Sequence, residues 1–232
     1  MKQLPLDIRV RPRYRPEAFV LHSGVAHCYN FILKSVYERR FGIFLVTAPT
    51  RYGKTHLALR LYSDLTSKVQ INTLFKAGYE FKEWLDNFSP HNKLSSNKVI
   101  IVDESEKYFT ATNPGASGKF VEFIESSRTE ERNVIFLSSM RPEYFPCDDH
   151  IMSRLKEAHI VSIAPPDDES IPEILYQIGR QWGVNLSKRN ISFLQKRLRR
   201  DIPALEQYLF RLLHLSKVMG VKIGHNVISE AL

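Results

Sequence analysis

The chain has 232 residues, 43% of them hydrophobic and 25% charged, enough for one large core or for a core with a small second domain. No apolar run approaches the length needed to cross a bilayer, and the opening MKQLPLDIRV lacks the apolar stretch and cleavage site of a signal peptide. A cytoplasmic protein with no membrane partner is therefore expected. Only Cys28 and Cys147 are present, which provides neither a disulfide framework nor a zinc-ligand spacing. The formal charge of +8 is compatible with a polyanionic partner, because clustered cations gain affinity by releasing phosphate counterions. Arg9, Arg11, Arg13 and Arg15 form one basic group and Lys196, Arg197, Arg199 and Arg200 another, so non-specific DNA contact stands beside the plainer reading of solvated surface.

Residues 1–16, with three prolines and four alternating arginines, read as an extended arm. A folded body over 17–166 follows. Phe41 to Thr47 is a short apolar run fitting a buried strand, and Leu57, Leu61 and Leu65 then recur at helical spacing. Further strands are expected at Val69 to Leu74, Lys98 to Val102, Asn133 to Leu137 and His159 to Ile163, with helices at Tyr79 to Asn87 and Gly118 to Glu131. Buried strands alternating with helices imply an α/β sandwich with a mainly parallel central sheet, whose ligands sit at the carboxyl ends of the strands. After Pro165 and Pro166 the pattern turns wholly helical, and residues 167–232 are read as a small α-helical lid ending in one short helix.

Between the first strand and its helix lies Ala48-Pro49-Thr50-Arg51-Tyr52-Gly53-Lys54-Thr55-His56, where a phosphate-binding P-loop belongs. Backbone N–H groups at the helix start can hold phosphates, Lys54 can reach the β and γ phosphates, and the Thr55 hydroxyl can bind Mg²⁺. Two features depart from the usual pattern: Ala48 replaces the first glycine, and bulky Arg51 and Tyr52 stand at the crest. A second signal is the apolar strand that ends in Asp103 and Glu104. Asp103 would hold Mg²⁺ with Thr55, and Glu104 would orient or deprotonate an attacking water. Ser138 and Ser139 end a neighbouring strand and offer a polar contact. Arg154 is the candidate cation for charge developing on a γ-phosphate.

In their order, APTRYGKTHL, VIIVDE, LSSMRPE, MSRL and RRDIPALEQYL resemble the AAA+ core of DnaA initiators and of Hda, the smaller homologue that inactivates DnaA. The resemblance runs over essentially the whole chain. It implies an adenine nucleotide, ADP or ATP, with Phe19 and Val20 near the base, and it makes Arg154 an arginine finger acting in trans on a neighbour's nucleotide. Met140 stands where DnaA has an acidic residue after its sensor strand, and Pro203 where the lid's nucleotide-sensing arginine is expected. Arg199 or Arg200 would have to substitute. Weak intrinsic hydrolysis follows as the expectation.

The sequence ends at Leu232 where DnaA continues into a helix-turn-helix domain, so sequence-specific origin binding is not expected of it. At the other end, Gln3-Leu4-Pro5-Leu6-Asp7-Ile8 resembles the QLxLxL peptide with which proteins dock on the bacterial sliding clamp. Leu4, Leu6 and Ile8 would enter an apolar groove while the Gln3 amide sets the register. Together these features imply an Hda-like regulator, partnered by the sliding clamp and DnaA, that switches the initiator off. A self-contained ATPase such as a helicase loader, or a DNA-binding replication accessory protein, is the alternative. Association into a homodimer is left open.

Overall fold

The computed structural model describes residues 15–89, 97–111 and 117–232. A 3-10 turn (Pro16–Ala18) leads into α1 (Ser23–Tyr37), β1 (Gly42–Thr47) and α2 (Lys54–Ser67). Then come β2 (Thr73–Ala77), α3 (Gly78–Asp86), β3 (Val99–Asp103), α4 (Glu106–Ala111), α5 (Gly118–Thr129) and β4 (Asn133–Ser138). The sheet domain closes with α6 (Asp149–Leu155) and β5 (His159–Ser162). The remaining helices are α7 (Ile171–Gln181), α8 (Lys188–Gln195), α9 (Ile202–Met219) and α10 (His225–Glu230).

The five strands form one sheet in the order β2-β3-β4-β1-β5, and every pairing is parallel. All residues of β1, β3 and β4 are buried, as a parallel sheet covered on both faces requires. Successive side chains alternate between two cores. Phe44, Val46, Val99, Ile101, Ile135 and Leu137 pack with α1 and α2 on one face. Ile43, Leu45, Ile100, Val102, Val134 and Phe136 pack on the other against a layer rich in phenylalanine from α3, α4 and α5.

A third, separate core joins α7 to α10 through residues such as Leu175, Leu194, Leu209 and Ile228. Local signals define these helices. Ser187 and Asp201 accept the Asn190 and Ala204 amides as N-caps. Pro203 falls in the first turn of α9, where a missing N–H breaks no helical bond.

One strand departs from expectation. The run from Val69 is not a strand: Val69 N–H donates to Asp64 O and Ile71 N–H to Leu65 O, closing the end of α2, and β2 begins only at Thr73. Val69 and Ile71 still pack on the first core, which explains their apolarity. At the start of the body, Arg15 and Pro16 already belong with it, for Pro16 opens the 3-10 turn and its carbonyl accepts from Arg60 at 3.3 Å. The rest of the arm, including Gln3, Leu4, Leu6 and Ile8, lies outside the described residues. Among the described residues no helix is long and apolar enough to cross a membrane.

Asp64, on α2, ties the first layer together. It accepts from Tyr29 Oη at 2.5 Å and Arg60 Nε at 2.6 Å, and it pairs with Lys68 at 2.8 Å. Burial alone would raise its pKa, but the bonds from Lys68, Tyr29 and Arg60 outweigh that and pull it down to about 2. A depressed carboxylate adds stability that is complete above its unfolded pKa and is lost as the pH falls through the folded one. Asp64→Asn should therefore cost about 2 kcal/mol at neutral pH. In urea melts the gap from the unaltered chain should close as the pH drops from about 4, the unfolded value, to about 2.

Candidate phosphate-binding site

The carboxyl ends of β3, β4 and β1 lie side by side, which brings Asp103, Ser138 and the loop after Thr47 to one edge of the sheet. The Ala48 amide donates to Ser138 O at 3.2 Å, and Thr47 Oγ1 lies 3.1 Å from Ser162 Oγ on β5. The loop then turns through two left-handed residues, Arg51 (φ 67°) and Gly53 (φ 87°), into α2. Glycine adopts this conformation freely, whereas Arg51 carries a strain of roughly 1–2 kcal/mol. Thr50 and Arg51 are exposed at the crest, while Tyr52 folds back against the first core.

The first-turn amides of α2 have no acceptor within the helix, so they present a ready anion site. Behind them Lys54 is only 8% exposed. Its Nζ donates to Ala48 O at 2.7 Å and to Pro49 O at 2.8 Å, curling the ammonium into its own loop. Burial lowers its pKa, and Glu106, Asp103 and Glu104, in that order, oppose the shift. Asp103 is also buried, and burial raises its pKa, with the neighbouring Thr55 hydroxyl the strongest opposing influence. Its Oδ1 has no hydrogen-bond partner. A buried carboxylate oxygen left bare beside a threonine hydroxyl is the donor set a hard divalent cation such as Mg²⁺ uses, completed by phosphate oxygens and water.

Glu104 adopts a left-handed backbone (φ 51°), and its half-exposed carboxylate pairs with Lys107. This puts it on the surface of the turn. A side chain at Gly78, the first residue of α3, would bring its Cβ within 2.3 Å of Glu104 O, so this glycine is what lets α3 close on the turn. Glu106 is a further carboxylate beside the site, with the largest influence of the three on Lys54. Its Oε1 accepts from Ser139 Oγ at 2.5 Å and its Oε2 from the Ser139 amide at 3.2 Å. Ser138 Oγ accepts instead from the Met140 amide at 3.0 Å. Sequence reading missed Glu106, although it lies just three residues beyond Asp103 at the start of α4.

Phe19 and Val20 sit at the seam between the two bodies, Phe19 against the sheet core and Val20 against the lid core. The Phe19 ring stacks on His56 with centroids 6.3 Å apart. Burial pulls the His56 pKa down to about 4, so the imidazole is neutral at neutral pH. On the lid side, Arg199 pairs with Asp201 and Arg200 with Asp168, so neither turns to the loop. The lid residue that does reach it is Glu206, bonded to Arg51. Arg154 stands apart from this cluster on α6, where its guanidinium donates to Glu125 at 3.1 Å and to Ser153 at 3.0 Å.

A parallel sheet in this order, a glycine-lysine-threonine loop entering α2 and an acid at the end of β3 define the AAA+ P-loop fold. No protein-family model matches the chain. In sequence it is similar to the chromosomal replication initiator protein DnaA of Thermomicrobium roseum, with 23% identity over 234 residues. That match covers 96% of this chain and 50% of the relative, so the chain spans about half the length of the curated protein it matches. In structure it is similar to domain III of the Thermotoga maritima replication initiation protein DnaA, with a TM-score of 0.70, 16% identity and 96% of each chain covered. AMPPCP-bound DnaA from Aquifex aeolicus aligns with a TM-score of 0.64 and 14% identity over 96% of this chain and 81% of its own.

Asp103 provides a direct check on the cation site. Because its folded pKa is raised, its ionisation destabilises the metal-free protein at every pH above the unfolded value. Asp103→Asn should therefore raise the melting temperature of the metal-free chain at pH 7. The same variant should lose any stabilisation by Mg²⁺ in the presence of ADP, as read by differential scanning fluorimetry.

Proposed function

We propose that this chain binds an adenine nucleotide at the P-loop and acts as an Hda-like regulator of DnaA. In this reading Lys54 and the first-turn amides of α2 hold the phosphates, Thr55 and Asp103 hold Mg²⁺, and Phe19, Val20 and His56 border the adenine. The observation that carries the regulatory part is the placement of Arg154. It lies on α6, paired with Glu125, and shares no bond with its own phosphate site. A cation so placed serves a nucleotide held by another molecule, and the likeness to DnaA makes DnaA the natural holder. Residues 3–8 would tether the chain to the DNA-loaded sliding clamp.

The chain's own catalytic groups support a minor role for intrinsic turnover. Glu104 is bonded to Lys107 and Glu106 to Ser139, and in this reading Pro203, in the first turn of α9, stands where the resemblance to DnaA expects a γ-phosphate-sensing arginine. A stimulating partner needs no fast hydrolysis of its own.

ATP hydrolysis by DnaA of the same organism, measured with and without this chain and DNA-loaded clamp, tests the proposal. Stimulation should require both, and Arg154→Ala should abolish it while the fold is kept. An arginine finger is worth roughly 10³ to 10⁵ in rate. Replacing Gln3, Leu4 and Leu6 by alanine should remove clamp binding and, with it, the stimulation. Turnover by this chain alone, indifferent to DnaA and clamp, would overturn the regulator in favour of a self-contained motor.

A further inference from the structure

Among the described residues one ion pair joins the P-loop crest to the lid. Arg51 donates from Nε (2.9 Å) and from Nη2 (2.6 Å) to the same oxygen, Oε2 of Glu206 on α9. The glutamate side chain is 18% exposed and the arginine 56%. The arginine is held there at a cost, because residue 51 sits in the left-handed region that favours glycine. The position is three residues before Lys54, on the crest above the α2 amides where phosphates would lie.

Resting on the nucleotide reading above, the geometry points to a phosphate-responsive latch. Arg51 and Glu206 hold the lid to the loop, and the phosphates of a nucleotide, on binding, take Arg51 from Glu206 and free the lid. The reason is chemical. A guanidinium pairs best when two of its N–H donors meet two separate oxygens, and a polyphosphate offers several around the same loop, whereas both bonds from Arg51 fall on one oxygen of Glu206. The cation that answers to phosphate thus sits on the loop and its counter-charge on the lid. In this arrangement Glu206 competes with nucleotide for Arg51. Removing the glutamate and removing the arginine must then loosen the lid alike but shift nucleotide affinity in opposite directions.

Hydrogen–deuterium exchange on the full chain reads the lid, and binding of a fluorescent ADP in the presence of Mg²⁺ reads the site. Without nucleotide, Glu206→Gln and Arg51→Gly should both speed exchange in the first turns of α9. Glycine at 51 suits the left-handed backbone, so that variant keeps the loop. The charge-swapped pair Arg51→Glu with Glu206→Arg should restore slow exchange. Glu206→Gln should tighten ADP binding by up to about fivefold, the range of one partly exposed ion pair, and Arg51→Gly should weaken it. In the unaltered chain ADP should speed α9 exchange, while adenosine, which lacks phosphates, should leave it unchanged. Unaltered α9 exchange in both single variants would overturn the latch, and affinity changes of the same sign would overturn the competition. Failure of the nucleotide reading looks different: no ADP binds the unaltered chain, so the competition is overturned, while exchange without nucleotide still decides whether the pair holds the lid.

Discussion

The structure depends on the placement of β1 between β4 and β5. Both neighbours pair with it in parallel, so its last residue, Thr47, lies level with Ser138 on one side and Ser162 on the other. The helices after β1 and β4 must leave in ways that open a crevice at this carboxyl edge, which is where parallel sheets bind ligands. Ala48 extends the pairing by one more bond to Ser138 before the chain breaks away into the loop. Because β3 lies on the far side of β4, Asp103 reaches the same edge, and Ser105 fastens its turn by donating both its amide and its hydroxyl to Leu137 O. Asp103, Lys54 and Ser138 with Ser139 are therefore brought together by backbone ladders laid down well below them.

Much of this was legible because the central strands are buried on both faces and must be apolar throughout. Phe41 to Thr47, Lys98 to Val102 and Asn133 to Leu137 could be read as strands within a residue or so of their ends. Edge strand β2 could not. It is only partly buried and includes Lys76, while the more apolar stretch before it closes α2. The loop lysine, Thr55 and Asp103 were readable from spacing because a strand-loop-helix unit fixes them locally. Glu106 and Glu206 were not, since each gains its meaning from a partner far along the chain: Ser139 for one, Arg51 for the other. No periodicity encodes such a meeting.

The lid illustrates the same division. Its helices follow from apolar spacing, capping residues and the two prolines that precede them. What the spacing could not reveal is which charged residue faces the loop. Arg199 and Arg200 were the candidates by proximity to the expected sensing position, yet each is satisfied by a nearby carboxylate, Asp201 and Asp168. With Pro203 in the first turn of α9, a side chain one turn on is Glu206, so the lid meets the loop with a negative charge. The complementary cation, Arg51, lies on the loop and holds a glycine-favouring conformation.

Charge matching across the site then governs what it can accept. Arg51 is answered by Glu206, Glu104 by Lys107, and the Lys54 ammonium by two loop carbonyls under the influence of Glu106 and Asp103. Asp103 keeps a buried oxygen without a hydrogen-bond partner. A polyphosphate entering without a cation would set its negative charges against Asp103 and Glu106 in a region where burial weakens screening, and it would also have to draw Lys54 from its carbonyls. Entering with a divalent cation, it brings the one charge that Asp103 lacks and exchanges partners for Lys54 and Arg51 rather than adding unmatched charge. The strength of binding is then the difference between two nearly balanced sets of pairs. Small changes at Arg51 or Glu206 would weigh directly on that difference.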